Sequence, residues 1–140
     1  MTRADWQRIA EERAKDAQAL ITASQWSGAF HLAGNAVECG VKSCVLRRLS
    51  AAPELIFLDK RFSEKCWTHD LEDLIELADL VSILSSAAAA SPALDANWRT
   101  VAWWSELDRY RIKTEIEARK MVVAVTDSTN GVLTWIKGHW

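Results

Sequence analysis

Apolar residues recur along most of this chain in steps of three and four, the spacing that gathers side chains on one face of an α-helix. In the first segment Trp6, Ile9, Ala10, Arg13, Ala14, Ala17, Leu20 and Ile21 share one stripe. Arg8, Glu11, Glu12, Lys15 and Asp16 fall largely elsewhere, so an amphipathic helix is predicted. A second helix is predicted from about Trp26 to Leu49, with Trp26, Ala29, Phe30, Ala33, Val37, Val41, Cys44 and Val45 in phase. Leu32, Ala36, Cys39 and Leu46 make it apolar on another face as well. A helix apolar on two faces needs cover from two sides, which makes this one the centre of a bundle or the seat of a partner. The connection Ala23 to Gln25 is short, so the two helices are expected to pack antiparallel.

Beyond the hairpin the pattern weakens. Residues 50–67 lose the period, contain Pro53 and the basic Lys60, Arg61 and Lys65, and read as a long connection with a short apolar piece, Leu55 to Leu58. Thr68 offers a cap for a helix carrying Leu71, Leu74, Ile75, Ala78 and Val81. The alanines at 87–90 continue or bridge a helix. Ser91-Pro92 signals a fresh start, a cap hydroxyl followed by proline at the first helical position, ahead of Leu94, Trp98, Val101 and Ala102. Thr114 and Glu117 form a capping box for the last helix. Its apolar phase runs from Ala118 through Met121, Val122, Val125, Thr129, Val132 and Leu133 to Ile136. That predicts one helix tolerating Gly131 at a cost of about 1 kcal/mol, with a break at Asn130-Gly131 as the alternative. No alternating run suggests a strand and no repeat is present. The expectation is a single all-α domain over residues 1–140, a bundle of four to six helices built on a long antiparallel hairpin.

Composition narrows the functional classes. Hydrophobic residues at 49% and charged residues at 26% are globular values. A net charge of −2 leaves no broad basic surface of the kind that neutralises duplex phosphates, so any nucleic-acid contact must come from a local patch. No apolar run approaches membrane-spanning length and the first residues are already charged, so a cytoplasmic protein without membrane contact is expected. Three cysteines without a CxxC pair argue against a disulfide framework and a zinc site. They read as structural thiols, and neither metal nor cofactor is expected.

The most informative local feature is polar. His31, Asn35, Glu38 and Lys42 fall at i, i+4, i+7 and i+11, all on one side of an otherwise apolar helix. The stripe is either a solvent-facing strip with a Glu38–Lys42 ion pair or a polar groove at a dimer or ligand interface. Arg109, Tyr110, Arg111 and Lys113 gather positive charge beside a helix N-terminus, where a phosphate could sit. The competing reading pairs these cations with Glu106, Asp108 or Glu38. Eight tryptophans exceed the needs of a core this size and point to core or dimer packing before base stacking.

The run Trp26-Ser27-Gly28-Ala29-Phe30-His31-Leu32-Ala33-Gly34-Asn35-Ala36-Val37-Glu38-Cys39, followed by Lys42, resembles the second-helix signature of small HEPN domains. His69 and Leu71, Asn97-Trp98 with Val101 and Trp104, and Arg109-Tyr110 extend the resemblance over nearly the whole chain. It implies a helical bundle, commonly a homodimer, in prokaryotic toxin–antitoxin and defence systems, often beside a minimal nucleotidyltransferase. It also implies that catalytic members are metal-independent ribonucleases with an arginine and a histidine separated by four to six intervening residues. Histidine moves the proton and arginine stabilises the phosphate charge. This sequence departs from that pattern. Counted from Arg109, the window holds Thr114, Glu115 and Ile116, and none is histidine.

His69, at a helix start, reads as structural, with a composite site beside Arg61 or Arg109 as the alternative. His139, next to the terminal Trp140, is expected to be exposed and frayed. His31 is the candidate acid–base group within the stripe. Three functions follow. One is a HEPN module that binds a nucleotidyltransferase or RNA without strong catalysis. Another is a metal-independent endoribonuclease using Arg109 with His31 or His69. The third is a nucleotide or small-ligand binder using Asn35, Glu38, Lys42, Tyr110, Arg111 and Arg109.

Overall fold

The computed structural model describes residues 1–140 and contains helices and turns with no strand. The first helix, α1, runs Arg3–Thr22, and α2 runs Trp26–Ala51. They are followed by α3 (Leu55–Leu58), α4 (Lys60–Lys65), α5 (Leu71–Leu77), α6 (Val81–Ala90) and α7 (Pro92–Ala102). A short 3-10 helix (Glu106–Tyr110), α8 (Glu115–Thr126) and α9 (Val132–Lys137) complete the chain. The all-α class and the long hairpin are as the periodicity predicts. The helix count is higher than four to six, because turns that the apolar pattern runs through break it into shorter pieces.

The hairpin closes where Ser24 adopts a left-handed backbone (φ 57°) and Gln25 N–H donates to the Leu20 carbonyl. Its second helix is the centre of the molecule, with α1, α5, α8, α9 and the 3-10 helix all packed on it. From Ala33 to Val45 only Asn35 and Lys42 escape full burial. Small residues make this crowding possible. A Cβ on Gly34 would overlap the Trp104 indole, which lies flat on the helix there, and one on Gly40 would press on Ile136 and Leu133 of α9.

Two breaks differ from the periodicity. The apolar phase carries Leu71 to Val81 as one helix, yet Asp79 turns left-handed (φ 60°) and divides it into α5 and α6. Asp70, not Thr68, caps α5. Its carboxylate accepts from Asp73 N–H, while the Thr68 hydroxyl accepts from Asp70 N–H. The last helix is likewise two, as in the alternative with a break at Asn130-Gly131 and not as the continuous helix. The Asp127 carboxylate takes the N–H groups of Thr129 and Asn130, and its carbonyl accepts from Gly131 N–H and the Thr134 hydroxyl. Local side-chain bonding of this kind competes with the helical ladder and ends it. Glycine is required at 131 because a Cβ would strike the Asp127 backbone. The turn is then tied to α7, where Asn97 donates to the Asn130 carbonyl and Ser91 to its side-chain oxygen.

The Ser91-Pro92 start and the Thr114–Glu117 capping box form as predicted. The connection 50–67 contains α3 and α4 and leaves Phe57 and Leu58 exposed. The C-terminus docks instead of fraying: His139 packs on Trp135 with ring centroids 4.5 Å apart, and its carbonyl accepts from Arg47. One tryptophan, Trp104, is fully buried, five pack at the edge of the core, and Trp67 and Trp103 stand in solvent. No helix is long and apolar enough to cross a membrane.

The Gly34–Trp104 contact supplies a test of this packing. Gly34→Ala should destabilise the protein by about 1–3 kcal/mol through overpacking. Combining it with Trp104→Phe should give a non-additive total, with a coupling of about 0.5 kcal/mol or more in denaturant unfolding.

Candidate functional site

The polar stripe of α2 is half-buried, with His31, Asn35 and Lys42 partly exposed around a buried Glu38, so it is not a solvent-facing strip. Glu38 is 4% exposed, and its carboxylate is surrounded. Lys42 Nζ lies 2.6 Å from Oε1 and Asn35 Nδ2 donates to Oε2 at 3.1 Å, both from the same helix. The third partner comes from elsewhere in the chain, since His69 Nδ1, just before α5, lies 2.7 Å from Glu38 Oε1. The predicted Glu38–Lys42 pair therefore exists, but as the buried half of a larger network. Lys42 also rests 5.1 Å above the Trp6 ring of α1. Asn35 and Lys42 are both turned onto Glu38, while His31, the fourth member of the stripe, is not.

On its far side His69 meets a second carboxylate, with Nε2 3.2 Å from Glu106 Oε2 of the 3-10 helix. One imidazole thus links α2, the entry to α5 and the 3-10 helix. A doubly protonated ring donates to both carboxylates, whereas a neutral ring donates to one of them. Nothing in the apolar pattern marks Glu106 as a partner. The contact depends on how the chain returns across α2.

His31 stacks on Trp104, with centroids 5.7 Å apart and planes 26° from parallel. Its Nδ1 and the Trp104 Nε1 are buried without a hydrogen-bond partner, as is the Ser43 hydroxyl. Burial, then the charge of Arg109, holds the His31 imidazole below its ordinary value, with Asp108 and Glu38 acting in the opposite direction. The ring is half-buried, with Nδ1 shielded from solvent.

The basic segment resolves residue by residue. Asp108, 1% exposed, accepts from Ser105 N–H and pairs with Lys113 at 2.9 Å and Arg111 at 3.3 Å. Burial pushes its carboxyl up, but the Ser105 N–H and the two cations outweigh that and hold it low. Lys113 also lies 4.1 Å from the Phe30 ring centroid. Lys113 is therefore committed to structure and Arg111 partly so. Arg109 has no carboxylate partner and lies over the exposed Tyr110 ring at 4.9 Å. The helix N-terminus beside them is capped, because Glu117 accepts from the Thr114 N–H and the Thr114 hydroxyl accepts from the Glu117 N–H, which places a carboxylate there. Of the predicted ligand set, Tyr110 and Arg109 face solvent together, while Asn35, Glu38 and Lys42 are turned inward around Glu38.

The thiols are as inert as predicted. Burial pushes Cys39 up to about 12 and Cys44 up to about 11, and all three cysteines are free.

Two outcomes check this description. Glu38→Ala leaves Lys42 and His69 without their counter-charge and should cost toward the lower end of about 3–5 kcal/mol, since His69 is half-exposed. Glu106→Ala, at the open end of the chain, should cost about 1 kcal/mol or less. The pH response follows from His31 and His139, both held below the ordinary histidine value of 6.5, by burial first and then by Arg109 and Arg47 respectively. On acidification the unfolded chain takes up these protons first, so each favours unfolding. Stability should fall as pH drops below 6.5 and level once the folded rings also protonate. His31→Phe, which keeps the stacking, should shrink the difference in unfolding midpoint between about pH 7 and pH 5.5. No protein-family model, no curated protein and no solved structure matches this chain.

Proposed function

We propose that this protein is a HEPN-like module of a prokaryotic toxin–antitoxin or defence system that works by binding, not by cutting RNA. The observation that carries the reading is the state of its histidines. His69 is held by carboxylates at both ring nitrogens, and His31 is neutral and stacked in the core. Acid–base cleavage of a phosphodiester needs a histidine with a free nitrogen beside an arginine that can reach the phosphate. Arg109 supplies the second requirement, being exposed and free of carboxylates. His69 has both nitrogens engaged by carboxylates, and His31, whose ring has no hydrogen-bond partner, lacks the carboxylate that would orient it as a general base. On this reading Arg109 and Tyr110 form the exposed end of a contact with RNA or a nucleotide, and a homodimer or a nucleotidyltransferase partner completes the assembly.

A second reading draws on the 2.7 Å Glu38–His69 contact. A buried carboxylate behind an imidazole is the arrangement that orients a general base. If Glu106 moved away, His69 Nε2 would face solvent as the working nitrogen of a metal-independent endoribonuclease. The two readings separate in one experiment. Purified wild-type protein and Arg109→Ala are incubated with mixed RNA in metal-free buffer and resolved on a denaturing gel. Binding without cleavage predicts intact RNA in both lanes. Cleavage by the wild type that is lost in Arg109→Ala and in His69→Ala would replace the first reading with the second.

A further inference from the structure

What His69 can hold depends on whether its ring carries one proton or two. The side chain is 45% exposed, so the ring exchanges protons with water, although the Glu38 carboxylate behind it is buried. The charged groups that face the ring are Glu38 and Lys42 from α2 and Glu106 from the 3-10 helix. Asp70, next in the chain, has its carboxylate on the Asp73 N–H as the cap of α5. With an imidazolium ring the cluster balances, Lys42 and His69 against Glu38 and Glu106. With a neutral ring it carries a net negative charge.

A carboxylate only accepts hydrogen bonds, so each contact to His69 needs a proton on the nitrogen that makes it. An imidazolium has both, and holds Glu38 Oε1 at 2.7 Å and Glu106 Oε2 at 3.2 Å. A neutral ring has only one. That proton stays on Nδ1, because Glu38 is pinned by Asn35 and Lys42 and cannot retreat from a bare nitrogen 2.7 Å away. Glu106, whose side chain is 38% exposed, is free to turn to water. Nε2 then presents a lone pair to the Glu106 carboxylate, acceptor against acceptor, and that contact is the one lost.

The cation within reach of a released Glu106 is Arg109. Both residues lie in the 3-10 helix Glu106–Tyr110, where side chains three positions apart stand one above the other. While His69 holds Glu106, Arg109 lies over the Tyr110 ring without a carboxylate partner. The rest of the segment is anchored separately, since Asp108 is held by Ser105 N–H, Arg111 and Lys113. Release of Glu106 therefore redirects one side chain and leaves the 3-10 helix in place.

We infer that His69 is a proton-operated clasp on Glu106 that sets the availability of Arg109. Protonated, the ring holds Glu106 and leaves the Arg109 guanidinium open to an external anion. Neutral, it lets Glu106 go, and the freed carboxylate pairs with Arg109 and masks it. As regulation of the Arg109–Tyr110 contact this rests on the reading of Arg109 as part of a binding surface, whereas the clasp itself is measured without RNA.

The test is NMR of the full-length protein at about pH 5.5 and pH 8, either side of the range in which histidine titrates. At the lower pH both ring nitrogens of His69 should carry protons. At the higher pH the remaining proton is expected on Nδ1, against the preference of a free neutral imidazole for Nε2. Rotation about the Arg109 Nε–Cζ bond, followed in carbon-detected spectra, should slow roughly threefold from the lower pH to the higher as the ion pair forms. Glu106→Gln separates charge from contact, because its amide offers an oxygen to a protonated Nε2 and an N–H to a bare one. It should keep His69 held, and Arg109 rotating freely, at both pH values. A neutral ring with its proton on Nε2, or Arg109 rotation that ignores pH in the wild type or follows it equally in Glu106→Gln, would overturn the clasp. A labelled single-stranded RNA of mixed sequence should bind the wild type more weakly at pH 8 than Glu106→Gln. Absence of RNA binding at either pH, with the ring and Arg109 behaving as described, would defeat the RNA reading and leave the clasp standing.

Discussion

A carboxylate buried at the middle of the central helix constrains the rest of this molecule. Glu38 cannot be left alone at 4% exposure, because a charge removed from water is tolerated only when other charges and hydrogen bonds replace the solvent. Asn35 and Lys42 come with the helix itself. His69 does not, and bringing it to Glu38 fixes how the chain enters α5 after its long excursion through α3 and α4. Glu106 then draws the 3-10 helix to the other side of the same ring. The connection between α7 and α8 is thereby laid across α2 instead of away from it.

The same crossing is held by shape. Trp104 lies against Gly34 one turn before Glu38, and His31 stacks on its ring. Asp108 sits on the same 3-10 helix and is satisfied by Ser105, Arg111 and Lys113, with Lys113 over Phe30 of α2. Apolar contact, close approach at a glycine and two buried carboxylates converge on one stretch of α2. Their joint effect is to hold the 3-10 helix against α2. Asn35, Lys42 and His69 converge on Glu38, Lys113 holds Asp108, and Arg109, Tyr110 and Arg111 remain exposed.

Surfaces away from this crossing are less committed. The uncharged α6 and the acidic α5 differ sharply in character although they are neighbours, and an open cleft lies between them and α7.

The sequence by itself determined the class of fold and its centre. Periodicity marked α1 and α2, the short link made them a hairpin, and the two-faced apolar pattern of α2 required cover from both sides, which α1, α5, α8 and α9 provide. Local chemistry likewise fixed the starts at Ser91 and Thr114, because a cap is made by residues three apart in the chain. Helix ends were less legible, since an apolar phase can run through a break that side chains such as Asp127, or a left-handed residue such as Asp79, impose. The candidate site was legible only in part. His31, Asn35, Glu38 and Lys42 share a face by spacing alone, but whether that face meets solvent, ligand or protein depends on residues 31 and 68 positions away from Glu38. Only the tertiary structure brings His69 and Glu106 there. The physical reason is that a buried charge is answered by whatever the fold places beside it, and such long-range pairings leave no periodic trace in the sequence.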